Sequence, residues 1–198
     1  MKLYTNSASP FARKCRVIAH ELGLVLEEIR TLPLQDESFR RINPLAKIPA
    51  LLLEDGSVLI DSPVICEYLN DRGGGKFFPG NSVWRSSGGK WKALGLAALG
   101  DGIADAAVAY VVAGRQNPVP DAVRARHLDA VLAGLDALER TKFAEPPTIG
   151  EIASACAIGY VAFRLPDLDW RSSRPQLTLW YDRFCEYPAM KATEPAAP

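Results

Sequence analysis

Apolar residues begin the chain in a short run, Leu3-Tyr4-Thr5, and the spacing changes abruptly after Ser7-Ala8-Ser9-Pro10. From Pro10 the apolar positions recur at helical intervals as far as Gly23, a residue suited to a left-handed helix terminus. A proline in the first helical turn gives up an N–H that would have no partner there, so Pro10 starts the helix rather than breaking it. Leu26 to Thr31 reads as a second strand, parallel to the first because a helix separates them. An irregular polar segment follows. Lys47-Ile48-Pro49-Ala50-Leu51-Leu52-Leu53, the turn pair Asp55-Gly56 and Val58-Leu59-Ile60 then predict a hairpin, and Asp61-Ser62-Pro63 opens the next helix with a capping side chain ahead of a first-turn proline.

The order β-α-β then β-β-α is complete by about residue 75, where Gly73-Gly74-Gly75 ends the helix and a linker at 73–82 begins. No strand pattern follows. Helical periodicity runs through Trp84–Ala113, Ala122–Lys142, Ile149–Arg164 and Arg174–Glu186, with Pro118, Pro120, Pro146, Pro147, Pro166, Pro175 and Pro188 between the helices or at their ends. Thr148-Ile149-Gly150-Glu151 has the spacing of a capping box. The expectation is an α/β N-terminal domain over 1–75 and an all-α bundle over 83–198.

At 198 residues and 48% hydrophobic, the composition is that of a globular protein. The 23 lysines and arginines balance 23 aspartates and glutamates, so no basic excess points to nucleic acid. A small molecule or another protein is the expected partner. Leu94 to Gly114 is apolar enough to suggest a membrane span, but Asp101 and Asp105 near its middle would each cost roughly 2.5–3.5 kcal/mol there, and a buried helix is expected instead. Cys15, Cys66, Cys156 and Cys185 form no C-x-x-C pair, and neither His20 nor His127 stands at metal-ligand spacing from them. Buried thiols in a reducing, cytoplasmic setting are expected, with no secretory signal at the N-terminus and no metal.

Singly, a Ser-Pro pair, an Ile-Pro before a strand and an Asp-Ser-Pro helix start are ordinary local structure. In the order SPFARK, NPLAKIPALL, DSPVICEYL, with an all-helical half behind them, they resemble the glutathione S-transferase superfamily across essentially the whole chain. The Ser-Pro-Phe turn looks closest to a bacterial branch and is similar to the tau-class serine type. The resemblance implies a thioredoxin-like βαβ–ββα fold with a helical-bundle domain, and a cytoplasmic detoxification enzyme. Its cosubstrate would be glutathione and its second substrate a small hydrophobic electrophile.

It also assigns roles to residues. A thiol ordinarily titrates near 8.5, and lowering that by about two units requires roughly 2.7 kcal/mol in favour of the thiolate. A hydrogen bond to a charged acceptor supplies about 1.5–3 kcal/mol and a helix N-terminus about 0.3–1, so Ser9 is the expected catalytic hydroxyl. Relatives with cysteine at this point favour disulfide exchange, whereas serine leaves glutathione itself as the nucleophile. Cys15 is expected in the core, Tyr4 lies too early in its strand to act, and Ser7 is the alternative hydroxyl.

The expected glutathione contacts are Phe11 beside the turn and Ile48 before a cis Pro49. Asp61 and Ser62 would face the γ-glutamyl end, and Lys47 the glycyl carboxylate, although a lysine beside a turn is more often just solvated. One departure is Glu151, where the family's capping box usually has aspartate. The turn Asp101-Gly102-Ile103-Ala104-Asp105 resembles one in dimeric members, where the second aspartate reaches the γ-glutamyl ammonium in the neighbouring subunit. That implies a homodimer with Asp105 in the partner's site and Asp101 structural; a close helix crossing with both aspartates solvated is the simpler reading. A non-catalytic glutathione-binding protein and a glutathione-dependent isomerase or dehalogenase are the alternative functions.

Overall fold

A computed structural model of the chain describes residues 1–80, 88–114 and 120–197. Asn81 and Ser82 of the expected linker, the expected helix start at Trp84, and Pro118 lie outside the described residues. Strands β1 (Lys2–Thr5), β2 (Glu27–Arg30), β3 (Ala50–Leu52) and β4 (Val58–Leu59) form a sheet in the order β2-β1-β3-β4. The β1–β2 pair is parallel and the β1–β3 and β3–β4 pairs are antiparallel, as the βαβ–ββα pattern requires. Helix α1 (Pro10–Glu21) has Ser9 as its N-cap and ends before Gly23, whose φ of 65° is the left-handed conformation glycine adopts without steric cost. Leu3, Ile18, Leu51, Ile65 and Leu69 are wholly buried in this domain.

One helix was not legible in the polar segment. Helix α2 (Phe39–Ile42) is a single turn, too short to show periodicity. The Asp36 carboxylate accepts from the Ser38 and Phe39 N–H groups, and Phe39 is buried with its ring 5.4 Å from that of Tyr4. Helix α3 (Ser62–Arg72) begins where expected, but Asp61 makes no side-chain capping bond, contrary to the expectation.

The helical half consists of α4 (Gly88–Ala113), α5 (Asp121–Glu139), α6 (Ile149–Arg164), α7 (Pro175–Phe184) and α8 (Pro188–Ala192), the last a short helix the periodicity did not show. Helix α6 is buried from Ile149 through Val161 and runs through the centre of the bundle against α4, α7 and α1. Its capping box closes despite the longer acid. Thr148 Oγ1 accepts from Gly150 N at 3.2 Å and the Glu151 carboxylate accepts from Thr148 N at 2.8 Å, with its second oxygen on Ala144 N at 2.8 Å. The extra methylene lets one carboxylate brace both the helix start and the incoming chain.

Helix α4 corrects another expectation. The stretch Gly89–Ala113, at mean hydropathy 1.6, is long and apolar enough to cross a membrane, yet only 28% of its most apolar window is buried, so it is not the enclosed helix expected. Gly100 shows why it carries glycine, since a Cβ there would stand 2.7 Å from the Ser154 nitrogen of α6; Gly102 faces open space and has no such reason. Asp101 is not a free solvated charge but is half-buried and clasped by Lys14 of α1, whose Nζ lies 2.6 Å from both carboxylate oxygens. This pair ties the two halves together. The Arg13 Nη2 donor on the Met190 carbonyl at 3.0 Å adds a second tie, to α8.

Candidate functional site

Between the two halves lies a cleft of about 410 Å³ lined by the β1–α1 turn, the loop before β3, α4 and α6. The turn contributes Asn6, Ser9, Pro10 and Phe11, and its shape comes from Asn6, whose Oδ1 accepts from Ala8 N at 3.1 Å and Ser9 N at 2.8 Å. This side-chain mimic of a backbone turn delivers Ser9 to the helix start. Ser9 Oγ accepts from Ala12 N at 3.2 Å, so it caps α1, while its O–H donates to no group among the described residues. Capping and chemistry are compatible because a hydroxyl accepts and donates at once, and the N–H it accepts polarises the O–H it can offer to an anion. The Phe11 N–H, also at this positive helix end, has no backbone partner among the described residues.

Opposite the turn, the loop presents Lys47 and Ile48. The Ile48-Pro49 bond is cis, as the resemblance implied. Neither the N–H nor the C=O of Ile48 bonds to another backbone group among the described residues, which leaves a strand-like edge facing the cleft. Buried Asn43 holds this loop, with Nδ2 donating to the Lys47 carbonyl at 2.7 Å and Oδ1 accepting from Leu45 N at 3.0 Å. Lys47 itself is exposed.

Asp105 on α4 faces this same chain's cleft. Partial burial raises its pKa, and the nearby Asp101 and Asp61 charges add to the rise while Lys47 and Lys14 oppose it. Asp61 and Ser62 do not line the cleft but stand at the N-terminus of α3, where Asp61 is exposed and Ser62 buried. Ser9, Phe11, Lys47, Ile48 and Asp105 therefore converge on one cavity, with Pro49 next in line and the α3 terminus within electrostatic reach.

Ser7 is committed elsewhere, its Oγ donating to the Ala196 and Ala197 carbonyls at 3.1 and 3.2 Å. Cys15 is wholly buried, 3.7 Å from the Cys66 sulfur, and burial together with the bond to Cys66 pushes its pKa well up, so it remains a thiol of the core. Sequence reasoning missed Asn6 and Asn43, which only shape loops, and the second wall of the cleft, Val108 and Val112 of α4 with Tyr160 and Arg164 of α6. A charge at the last turn of an otherwise apolar helix was the available signal for Arg164. Among the described residues no group of three His, Cys, Asp or Glu side chains is arranged to hold a metal ion.

Comparisons with known proteins match the chain in sequence and in fold. Residues 8–72 match the model of the glutathione S-transferase N-terminal domain and residues 121–183 that of the C-terminal domain. The chain is 31% identical to an uncharacterised GST-like protein of Escherichia coli, YibF, covering 98% of both chains. It superimposes on a glutathione transferase family member from Pseudomonas fluorescens Pf-5 with bound glutathione at a TM-score of 0.87 and 37% identity, covering 99% of each chain. The structure of the P. fluorescens family member with bound S-(propanoic acid)-glutathione matches at 0.83 and 38%, covering 100% of each. A glutathione S-transferase from Methylobacillus flagellatus KT with glutathione bound gives 0.89 and 33%, covering 98% of this chain and 99% of that one.

Proposed function

The chain belongs to the glutathione S-transferase family, and from that we propose that it is a glutathione transferase of the serine type, in which Ser9 stabilises the glutathione thiolate for attack on a small electrophile. The observation that carries this reading is Ser9, a helix-capping hydroxyl whose O–H donates to no group among the described residues, in a cleft whose other edge is the Ile48–Pro49 loop. Glutathione laid along that edge would pair its cysteinyl backbone with Ile48, which brings its sulfur to the start of α1. There the Ser9 O–H, the Phe11 N–H and the helix dipole all favour the anion. The thiol proton passes to solvent, the sulfur forms its bond to the electrophilic carbon, and the leaving group departs with the bonding pair. Lys47 would answer the glycyl carboxylate, and the N–H groups of α3 with Ser62 the γ-glutamyl carboxylate. Solved relatives that hold glutathione, one of them also as its S-propanoic acid conjugate, support both the cosubstrate and room for a carboxyalkyl group on sulfur.

The same reading includes a cytoplasmic homodimer. The described cysteines are all free, which suits a reducing compartment, and α4 keeps large apolar side chains at its surface, with Trp91 65% and Val112 43% exposed. Asp105 would take the γ-glutamyl ammonium. Glutathione titrations of Asp105→Asn, compared between dimer and diluted monomer after sedimentation, assign the carboxylate to its own cleft if the loss appears in both and to the neighbour's if only in the dimer. The function itself is tested by retention on immobilised glutathione combined with turnover of an aryl halide. Both together support the transferase, retention without turnover of a broad electrophile panel leaves a glutathione-binding module, and neither overturns the reading.

A further inference from the structure

The wall of the cleft facing Lys47 and Ile48 is made of Val108, Val112, Tyr160 and Arg164. A guanidinium is out of place on such a surface. Over its sixteen residues α6 carries only one other charge, Glu151 in its first turn. A cation in the last helical turn is favoured by the dipole, which explains the charge but not its presence in the cleft. Arg164 Nε is buried with no hydrogen-bond partner among the described residues, and no carboxylate there forms a salt bridge with Arg164. Its guanidinium carbon lies 4.7 Å from the centre of the Phe163 ring. A contact with a ring face leaves the N–H groups, which lie in the guanidinium plane, free to bind something flat and anionic.

The Asp105 carboxylate lines the same cleft, but among the described residues it forms no salt bridge with Arg164. The cations that act on the Asp105 carboxylate most strongly are Lys47 and Lys14, not Arg164. The carboxylates of a bound glutathione are answered on the other wall, by Lys47 and the start of α3. Arg164 faces the space left for the second substrate.

We propose that Arg164 is a specificity-determining residue that binds a carboxylate on the electrophile, so that the preferred substrate is a small organic acid with an electrophilic carbon a few bonds from its carboxyl group. This rests on the reading of the cleft as a glutathione transferase site and narrows it to one substrate class. The glutathione sulfur displaces a leaving group from that carbon, the C–S bond forming as the leaving group takes the old bonding pair, and the carboxylate held by Arg164 sets which carbon faces the sulfur.

Calorimetric titration of the wild type and of Arg164→Gln with S-(2-carboxyethyl)glutathione, its primary amide and unmodified glutathione tests this without depending on turnover. The wild type should prefer the acid over the amide by about tenfold or more, as a charge-assisted hydrogen bond implies. Arg164→Gln should abolish that preference while binding glutathione as the wild type does, and Arg164→Lys should restore part of it, since lysine keeps the charge but not the two-pronged geometry. Equal affinity of the wild type for acid and amide, or a preference that survives in Arg164→Gln, would overturn the inference alone. Failure of the wild type to bind glutathione at all would overturn the reading of the cleft and this inference with it.

Discussion

Replacing Asp101 by asparagine should destabilise the protein far more than replacing Lys14 by methionine, although each breaks the same ion pair. The two ends of the pair differ in burial: the Lys14 side chain is 1% exposed and that of Asp101 22% exposed, with Nζ 2.6 Å from both oxygens. In Asp101→Asn the ammonium stays enclosed with a neutral amide in place of its counter-charge. Stranding one partner of a buried pair costs about 3–5 kcal/mol. In Lys14→Met the carboxylate is left behind, but it already meets water and the methionine refills the space, so the cost should be nearer the about 1–3 kcal/mol of an unpaired polar group. For a chain of this length about 2–4 °C in Tm accompanies each kcal/mol, which puts Asp101→Asn some 6–20 °C below the wild type. The double variant Lys14→Met/Asp101→Leu should recover much of the loss, since well-packed apolar pairs often match or exceed buried ionic ones. Urea titrations followed by tryptophan fluorescence measure all of this, with midpoints shifting at constant slope. The pH profile gives a further check. Burial alone would lower the Lys14 pKa, but the charges of Cys66 and Asp101 and the Asp101 hydrogen bond outweigh it, so the folded pKa lies above the usual 10.5. Stability from this lysine is therefore full below that value and is lost as pH rises through the folded pKa, a loss Lys14→Met should lack. Equal destabilisation by the two single variants would refute the argument from unequal burial.

Ser9→Ala should lower kcat/KM by about one to two orders of magnitude, the worth of one charged hydrogen bond, and should also lose about 0.5–2 kcal/mol of stability because the same oxygen caps α1; wild-type activity in this variant together with loss of activity in Ser7→Ala would refute it in a steady-state assay. Ser9→Cys should gain thiol–disulfide exchange, measured with a mixed disulfide of glutathione, and a variant with none would break the comparison with cysteine-type relatives. Ser62→Ala should raise KM for glutathione with a smaller change in kcat, because the contact is remote from sulfur, and an unchanged glutathione affinity would contradict it. Stability should fall above about pH 9, since burial pushes the Cys156 thiol up to about 12 from an ordinary 9.0. The contribution is full below the unfolded value and fades as pH climbs toward the folded one, so Cys156→Ala should flatten that limb of a denaturation–pH series.

What the sequence alone determined is what is local. Alternating and helical spacing, a proline after a capping serine, Asp-Gly between two apolar runs and glycine after a helix each act over a few residues, which is why β1, α1, the hairpin, α3 and α6 fall where the pattern puts them. The motif order was also enough to bring Ser9, Lys47, Ile48 and Asp105 under suspicion before any of them shared a cavity. The single turns α2 and α8 escaped because four or five residues cannot display a period and neither N-cap residue makes a side-chain capping bond; α2 is instead braced by the Asp36 carboxylate ahead of it and by burial of Phe39. Only the tertiary structure decided that Asp101 is a counter-ion rather than a solvated charge, because its partner Lys14 lies 87 residues away. The same holds for Arg164. In the sequence it is one basic residue ending an apolar helix, and its meaning arises only when packing closes a wall of α4 and α6 over the turn that carries Ser9 and leaves its guanidinium in the cleft without a salt-bridge partner among the described residues. Spacing along a chain reports which face a residue shares with its neighbours, but the charge that faces it across a cleft is set by contacts the local pattern does not encode.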